Sequence, residues 1–242
     1  TGIQKNVLKS GFFSGFYQFR LYSRRIAREH SLRRGGNNME MDWKTNMAEL
    51  GGAFMVSLLV LGEGNAVMMG VLLAVTMAAM AGAHVLPMFT WISAMTGDLQ
   101  DTDAWIGNVM RLVFQMLGAC VAVVLMAEGG DVTAAEPDMW GFELWGPDAA
   151  EGADANTMDG FLMMLGAGAL IGVIAGRCEG WMTAFAVVAL AGSLGAGVGG
   201  ADMMATELIG GGNIAEAASH WIVDGVVIGV GAMLGGMLED QL

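Results

Sequence analysis

The sequence predicts an all-α membrane protein of six apolar spans, arranged as two halves that echo each other. Three observations carry this expectation. Apolar residues make up 55% of the 242 and the mean hydropathy is +0.54, too high for an ordinary soluble domain. Six windows, almost free of charge, approach the ~20 apolar residues that carry a helix across hydrocarbon. The loops after the second and fifth windows repeat one pattern at corresponding places in the two halves. A buried helical core in water is the plainer alternative, but six such windows so close together favour a polytopic membrane protein.

In chain order the windows are Asn46–Leu61, Ala66–Met80, Ala104–Ala127, Asp159–Gly176, Trp181–Gly199 and Ala218–Leu238. The chain divides accordingly into an arm (1–45), a first repeat (46–127), an acidic connection (128–158) and a second repeat (159–242). Nine of the 11 Lys and Arg precede Thr45, and only Arg111 and Arg177 follow it. A basic segment just before the first span predicts an N-terminus on the cytoplasmic, stromal or matrix side. Six spans return the C-terminus to that side.

In the arm, Phe12, Phe13, Phe16, Tyr17, Phe19 and Tyr22 are mixed with Arg20, Arg24, Arg25, Arg28, Arg33 and Arg34. Such a segment suits a membrane interface, aromatics inward and arginines toward headgroups. It suits a neighbouring subunit equally well, and a retained transit peptide is the plainer reading. The acidic connection carries nine Asp and Glu up to Asp159 and no basic residue, punctuated by Trp140 and Trp145. A solvated loop is the simple reading; exposed aromatics there point to a docking surface. Expected partners are therefore membrane lipids and other membrane-complex subunits, met through the arm and this loop. Nothing suggests nucleic acid.

The internal echo runs deeper than hydropathy. Glu49 opens the first span and Asp159 the fourth, and GAHVLPMFT at Gly82 is answered by GADMMATEL at Gly200. Paired short, Gly-interrupted apolar segments mark inverted-repeat channels and transporters. Half-helices that dip into a membrane expose backbone groups, which must be capped or must face protein or a cavity.

GAHVLPMFT resembles the signature loop GAHxNPAxT of the aquaporin and glycerol-facilitator family. Similar stretches extend over residues 46–242: Ala48-Glu49 and Leu61–Ala66 in the first span, Leu73–Ala78 in the second, Gln115–Ala119 in the third, Gly199–Ala201 before the second loop, and His220-Trp221 with Gly229, Gly231 and Gly235 in the last. The resemblance implies six transmembrane helices plus two re-entrant half-helices in an inverted repeat. It also implies buried carboxylates, Glu49 and Asp159, bracing the loop backbones. In the family, paired asparagines at the half-helix N-termini orient the permeant and oppose cations and protons.

The departures fall on those positions. Asn-Pro-Ala corresponds to Leu86, Pro87 and Met88 in the first loop and to Met203, Met204 and Ala205 in the second; Thr206 stands for the expected arginine. With both asparagines gone the constriction becomes apolar, and a narrow apolar constriction dewets. The expectation is a non-conducting structural subunit of a larger organellar complex, in a thylakoid or mitochondrial inner membrane. A divergent channel for water or a small neutral solute is the alternative.

Other chemistry is sparse. His84 stands at the family's histidine position, where a structural hydrogen bond is the plain role and ligation of chlorophyll magnesium or another metal the sharper one. His220, beside Trp221, reads as an interfacial anchor, with ligation as its alternative. Chlorophyll, carotenoid or lipid at the periphery is the cofactor class such ligands allow, and none is required. Glu63 and Asp224 are further acids near span ends, and such acids are functional candidates. The 22 methionines form no repeated ladder and read as packing. Cys120 and Cys178 form no metal or disulfide framework. No catalytic motif is present, and no enzyme is expected.

Overall fold

The computed structural model describes residues 42–61, 64–132, 157–194 and 198–239, with the side chains of 157–159, 194 and 239 left out. The arm to residue 41, Glu63, and most of the acidic connection with Trp140 and Trp145 lie outside the described residues. Within them the chain is helical and contains no strand.

Asp42 starts the first helix, its carboxylate accepting from the Thr45 amide at 3.2 Å and from the Thr45 hydroxyl at 2.7 Å. This helix, α1, is Trp43–Met55 and runs on as a π-helical turn, Val56–Val60. Asn65 caps α2 (Ala66–Ala79), accepting from the Val67 and Met68 amides. Pro87, whose ring presets φ and whose missing N–H costs nothing at a helix start, opens α3 (Pro87–Thr96). Asp101 caps α4, Thr102–Met126. The second half gives α5 (Thr157–Arg177), α6 (Gly180–Leu194), α7 (Asp202–Gly210) and α8 (Ile214–Glu239).

The six windows read from hydropathy all contain a helix, with shifted ends. The last helix starts at Ile214 rather than near Ala218, because Asn213 and Glu216 form a reciprocal cap ahead of the apolar run. The fifth is helical over Gly180–Leu194 rather than to Gly199, and Val198, Gly199 and Gly200 are buried and non-helical. By length and composition, three helices can cross a membrane: Thr102–Met126, Gly160–Arg177 and Ile214–Leu238. Ala66–Ala79 and Gly180–Ser193 are as apolar but shorter. Large apolar side chains are plentiful on the outside, among them Val67, Val75, Val124, Leu162 and Met237. A surface of this kind suits lipid and would be a liability in water.

The packing repeats itself. The main helix contacts are α1 with α4, α5 with α8, α2 with α6, α3 with α8, and α4 with α7. Exchanging the halves (α1 for α5, α2 for α6, α3 for α7, α4 for α8) turns this set into itself. Two glycines fix the register. A Cβ on Gly118 of α4 would lie 2.1 Å from the Leu50 carbonyl oxygen and 3.0 Å from the Phe54 nitrogen. On Gly231 of α8 it would lie 2.2 Å from the Leu165 oxygen and 3.1 Å from the Ala169 nitrogen. The same crossing is therefore built twice, each time on a residue with no side chain.

Candidate functional site

The loop from Gly82 to Leu86 is held by one carboxylate. Glu49 is fully buried on α1, and its two oxygens accept four hydrogen bonds. Oε1 takes the His84 amide at 2.7 Å and Arg111 Nη1 at 3.0 Å. Oε2 takes the Val85 amide at 2.9 Å and Gln115 Nε2 at 2.7 Å. Arg111 also reaches the Gly82 carbonyl at 3.4 Å. A buried charge is tolerated only when paired and fully hydrogen-bonded, and here both conditions hold.

A second layer ties the loop to α3. Gln115 Nε2 donates to Thr90 Oγ1 at 3.0 Å, and Thr90 Oγ1 lies 3.1 Å from His84 Nδ1. Val85 carries a φ of 68°, in the left-handed region that a β-branched residue avoids. Its side chain sits against Gly52, where a Cβ would come within 2.8 Å. The two amides held by Glu49 are this strained residue's own and that of the residue before it.

The polar brace then stops. Leu86, the N-cap of α3, offers no side-chain cap. Leu86 and Met88 are fully buried in one apolar cluster with Val60, Leu73, Met164, Val187, Val188, Val198, Trp221 and Ile228. Pro87 is buried beside them. The start of α3, where a positive helix end would favour a polar ligand, meets hydrocarbon instead.

The second loop is built differently. Helix α7 begins at Asp202 with Ala201 as its N-cap. Met203, Met204, Ala205 and Thr206 follow within its first two turns, and the polar residue at the start is Asp202. Thr206 Oγ1 donates back to the Met203 carbonyl at 2.8 Å and is thereby occupied within its own helix. Ala201 and Ala205 pack on Ala119 and Val123 of α4, in a cluster separate from that of Leu86.

The crossing register also changes which residue answers Glu49. Leu50 corresponds to Leu165, so Glu49 corresponds to Met164 and Gln115 to Ile228; both counterparts are fully buried and apolar. Asp159 falls opposite Lys44, and its side chain lies outside the described residues. One crossing is thus polar and its twin is greasy. Asp224, at the position equivalent to Arg111, is buried on α8 and has an interaction partner.

Sequence reading missed Arg111, Gln115 and Thr90 as members of the brace. A signal existed for Arg111, since a lone basic residue inside an apolar span needs a buried acid. His220 is half-buried early in α8 beside Trp221. No group of three His, Cys, Asp or Glu suited to a metal occurs among the described residues. The indole nitrogens of Trp91 and Trp221 are buried without a hydrogen-bond partner, and Trp91 lies flat on Gly225.

Among the described residues, fold and site together define an all-helical protein with three membrane-length apolar helices and a buried carboxylate brace beside the start of a short helix. Searches against known protein families and against curated proteins give no match for the chain.

Proposed function

We propose that the chain is an aquaporin-like integral membrane protein with six spans and two half-helices in an inverted repeat. Its pore is closed, and it serves as a non-conducting structural subunit of a larger organellar membrane complex, photosynthetic or respiratory. The exchange symmetry of the helix contacts supports the architecture, as does the pair of short helices α3 and α7 set between longer ones. The observation that carries the closed pore is the burial of Leu86 and Met88 in the apolar core at the start of α3. A hydrogen-bonding side chain there would replace part of a permeant's hydration shell, and leucine cannot.

The test has two arms. Purified chain reconstituted into liposomes is expected to leave osmotic shrinkage at the rate of empty vesicles. Gentle solubilisation of the native membrane is expected to bring the chain down with other membrane subunits. Water flux well above background would establish the alternative, a divergent channel for water or a small neutral solute. A chain that purifies alone would remove the subunit assignment.

A further inference from the structure

We infer that Glu207, near the end of α7, holds a hard metal cation together with carbonyl oxygens of that helix end. The inference rests on local geometry and is independent of whether the pore conducts. Glu207 is only 8% exposed. Among the described residues no hydrogen bond or ion pair reaches its carboxylate. A buried carboxylate is costly unless it is paired and hydrogen-bonded, as Glu49 is. The wholly enclosed unpartnered side-chain atoms belong to Ser57, Trp91, Gln115 and Trp221. The Glu207 oxygens are not among them, so they keep a narrow opening by which a small ion reaches them.

Acceptors surround this carboxylate. Both of its oxygens lie where a Cβ on Gly212 would stand, in the turn between α7 and α8. The Glu207 carbonyl closes the helix by accepting the Gly211 and Gly212 amides. Among the described residues, the carbonyls of Leu208, Ile209 and Gly210 accept no backbone hydrogen bond. They form the negative end of α7. The positive start of α8 is already answered by Asn213 and by the Glu216 carboxylate.

The described fold brings no basic side chain to this end. Lys44 is exposed in the first turn of α1, and Arg111 is bound to Glu49. Gly168 of α5 meets Ile228 of α8, and Gly172 meets Ala232, so these two helices run the same way. Arg177 therefore ends level with Met237, about 35 Å along α8 from Ile214. The sequence has no other Lys or Arg beyond residue 44. An ion that takes one carboxylate and several carbonyl oxygens is a hard one of the calcium kind. No cluster of acids joins Glu207 among the described residues, so the ion is held weakly, at about millimolar concentration.

Calcium serves as the probe. The full chain in nanodiscs of neutral lipid is melted in calcium chloride and in choline chloride of equal ionic strength. Tm is expected to rise saturably with calcium, by about 3 °C or more at roughly tenfold the half-saturating concentration. Glu207→Gln removes the charge, and Gly212→Ala puts a methyl group in the carboxylate's place; each is expected to lose most of that rise. Glu179→Gln, at the exposed start of α6, is expected to keep it. Equal melts in the two salts, or a calcium effect that survives Glu207→Gln, would overturn the inference. Should Glu207→Gln not fold, survival of the effect in Gly212→Ala would overturn it. A carboxylic-acid infrared band at neutral pH, present in the wild-type chain and absent from Glu207→Gln, would show a proton in the cation's place and would overturn it too.

Discussion

Replacing Glu49 by glutamine tests the brace with almost no change of shape. The carboxylate accepts four hydrogen bonds, two at each oxygen. Glutamine keeps one oxygen and presents an NH2 group to the two donors on the other side. With the amide turned to keep the His84 amide and Arg111, the fully buried Val85 amide is orphaned, and Gln115 Nε2 loses one of its two acceptors while keeping Thr90. Each buried donor left unpaired costs about 1–3 kcal/mol. Arg111 also loses its counter-ion, but it is partly exposed, so that loss is discounted. With the weakened Gln115 contact included, the total is about 3 kcal/mol, at the low end for breaking a buried ion pair, and corresponds to a fall in Tm of roughly 8 °C. Thermal unfolding in lipid nanodiscs measures it, with Glu179→Gln at the exposed start of α6 as a near-neutral reference. A fall within about 3 °C of wild type would show that the loop amides find other acceptors, and the argument from Glu49 would fail.

Three further outcomes are expected. Gly118→Ala and Gly231→Ala push a methyl group into equivalent carbonyls and should each destabilise by about 1–3 kcal/mol or more, whereas Gly166→Ala, with open space around it, should gain up to about 1 kcal/mol from helix propensity; unequal losses at the two crossings would break the register drawn between the halves. Leu86→Asn should leave liposome water flux at background, since Met88 and the facing valines still fill the site, and a rise in flux would show that Leu86 alone closes it. The Asp42 carboxyl is held below its ordinary range, mainly by the Thr45 hydroxyl, so the cap should persist as pH falls past that range and be lost only on passing below its folded value; hydrogen exchange in the first turn of α1 would show this, and loss of protection already at ordinary carboxylate values would contradict it.

Much of the helical layout was legible because hydropathy and capping act locally. Six apolar windows marked six helices, and Pro87 marked the start of α3. What escaped was whatever depends on how helices meet. Asp159 looks like the partner of Glu49 because both acids open a span, yet the contacts of Gly118 and Gly231 pair Glu49 with Met164. In Gly- and Ala-rich sequence many alignments fit equally well, and only the close approach of two backbones selects one. The start of α7 escaped for a related reason. Ala201 carries no capping side chain, so the sequence offers no signal, and the family pattern drew attention two residues downstream. Span lengths were partly legible: the spans feeding both loops read as short in the sequence, and α2 and α6 are short, which leaves three helices that are long enough by themselves.

The brace on the first loop is also discontinuous along the chain, and this bears on how the protein matures in its membrane. The His84 and Val85 amides find their acceptor on α1, which is synthesised before them. The groups that neutralise and orient that acceptor, Arg111 and Gln115, lie on α4, which is synthesised after them. While only α1 to α3 have emerged, Glu49 lacks its counter-ion and Val85 has little reason to hold its left-handed turn. Helix α3 is therefore a latecomer, whose seating waits on the arrival of α4.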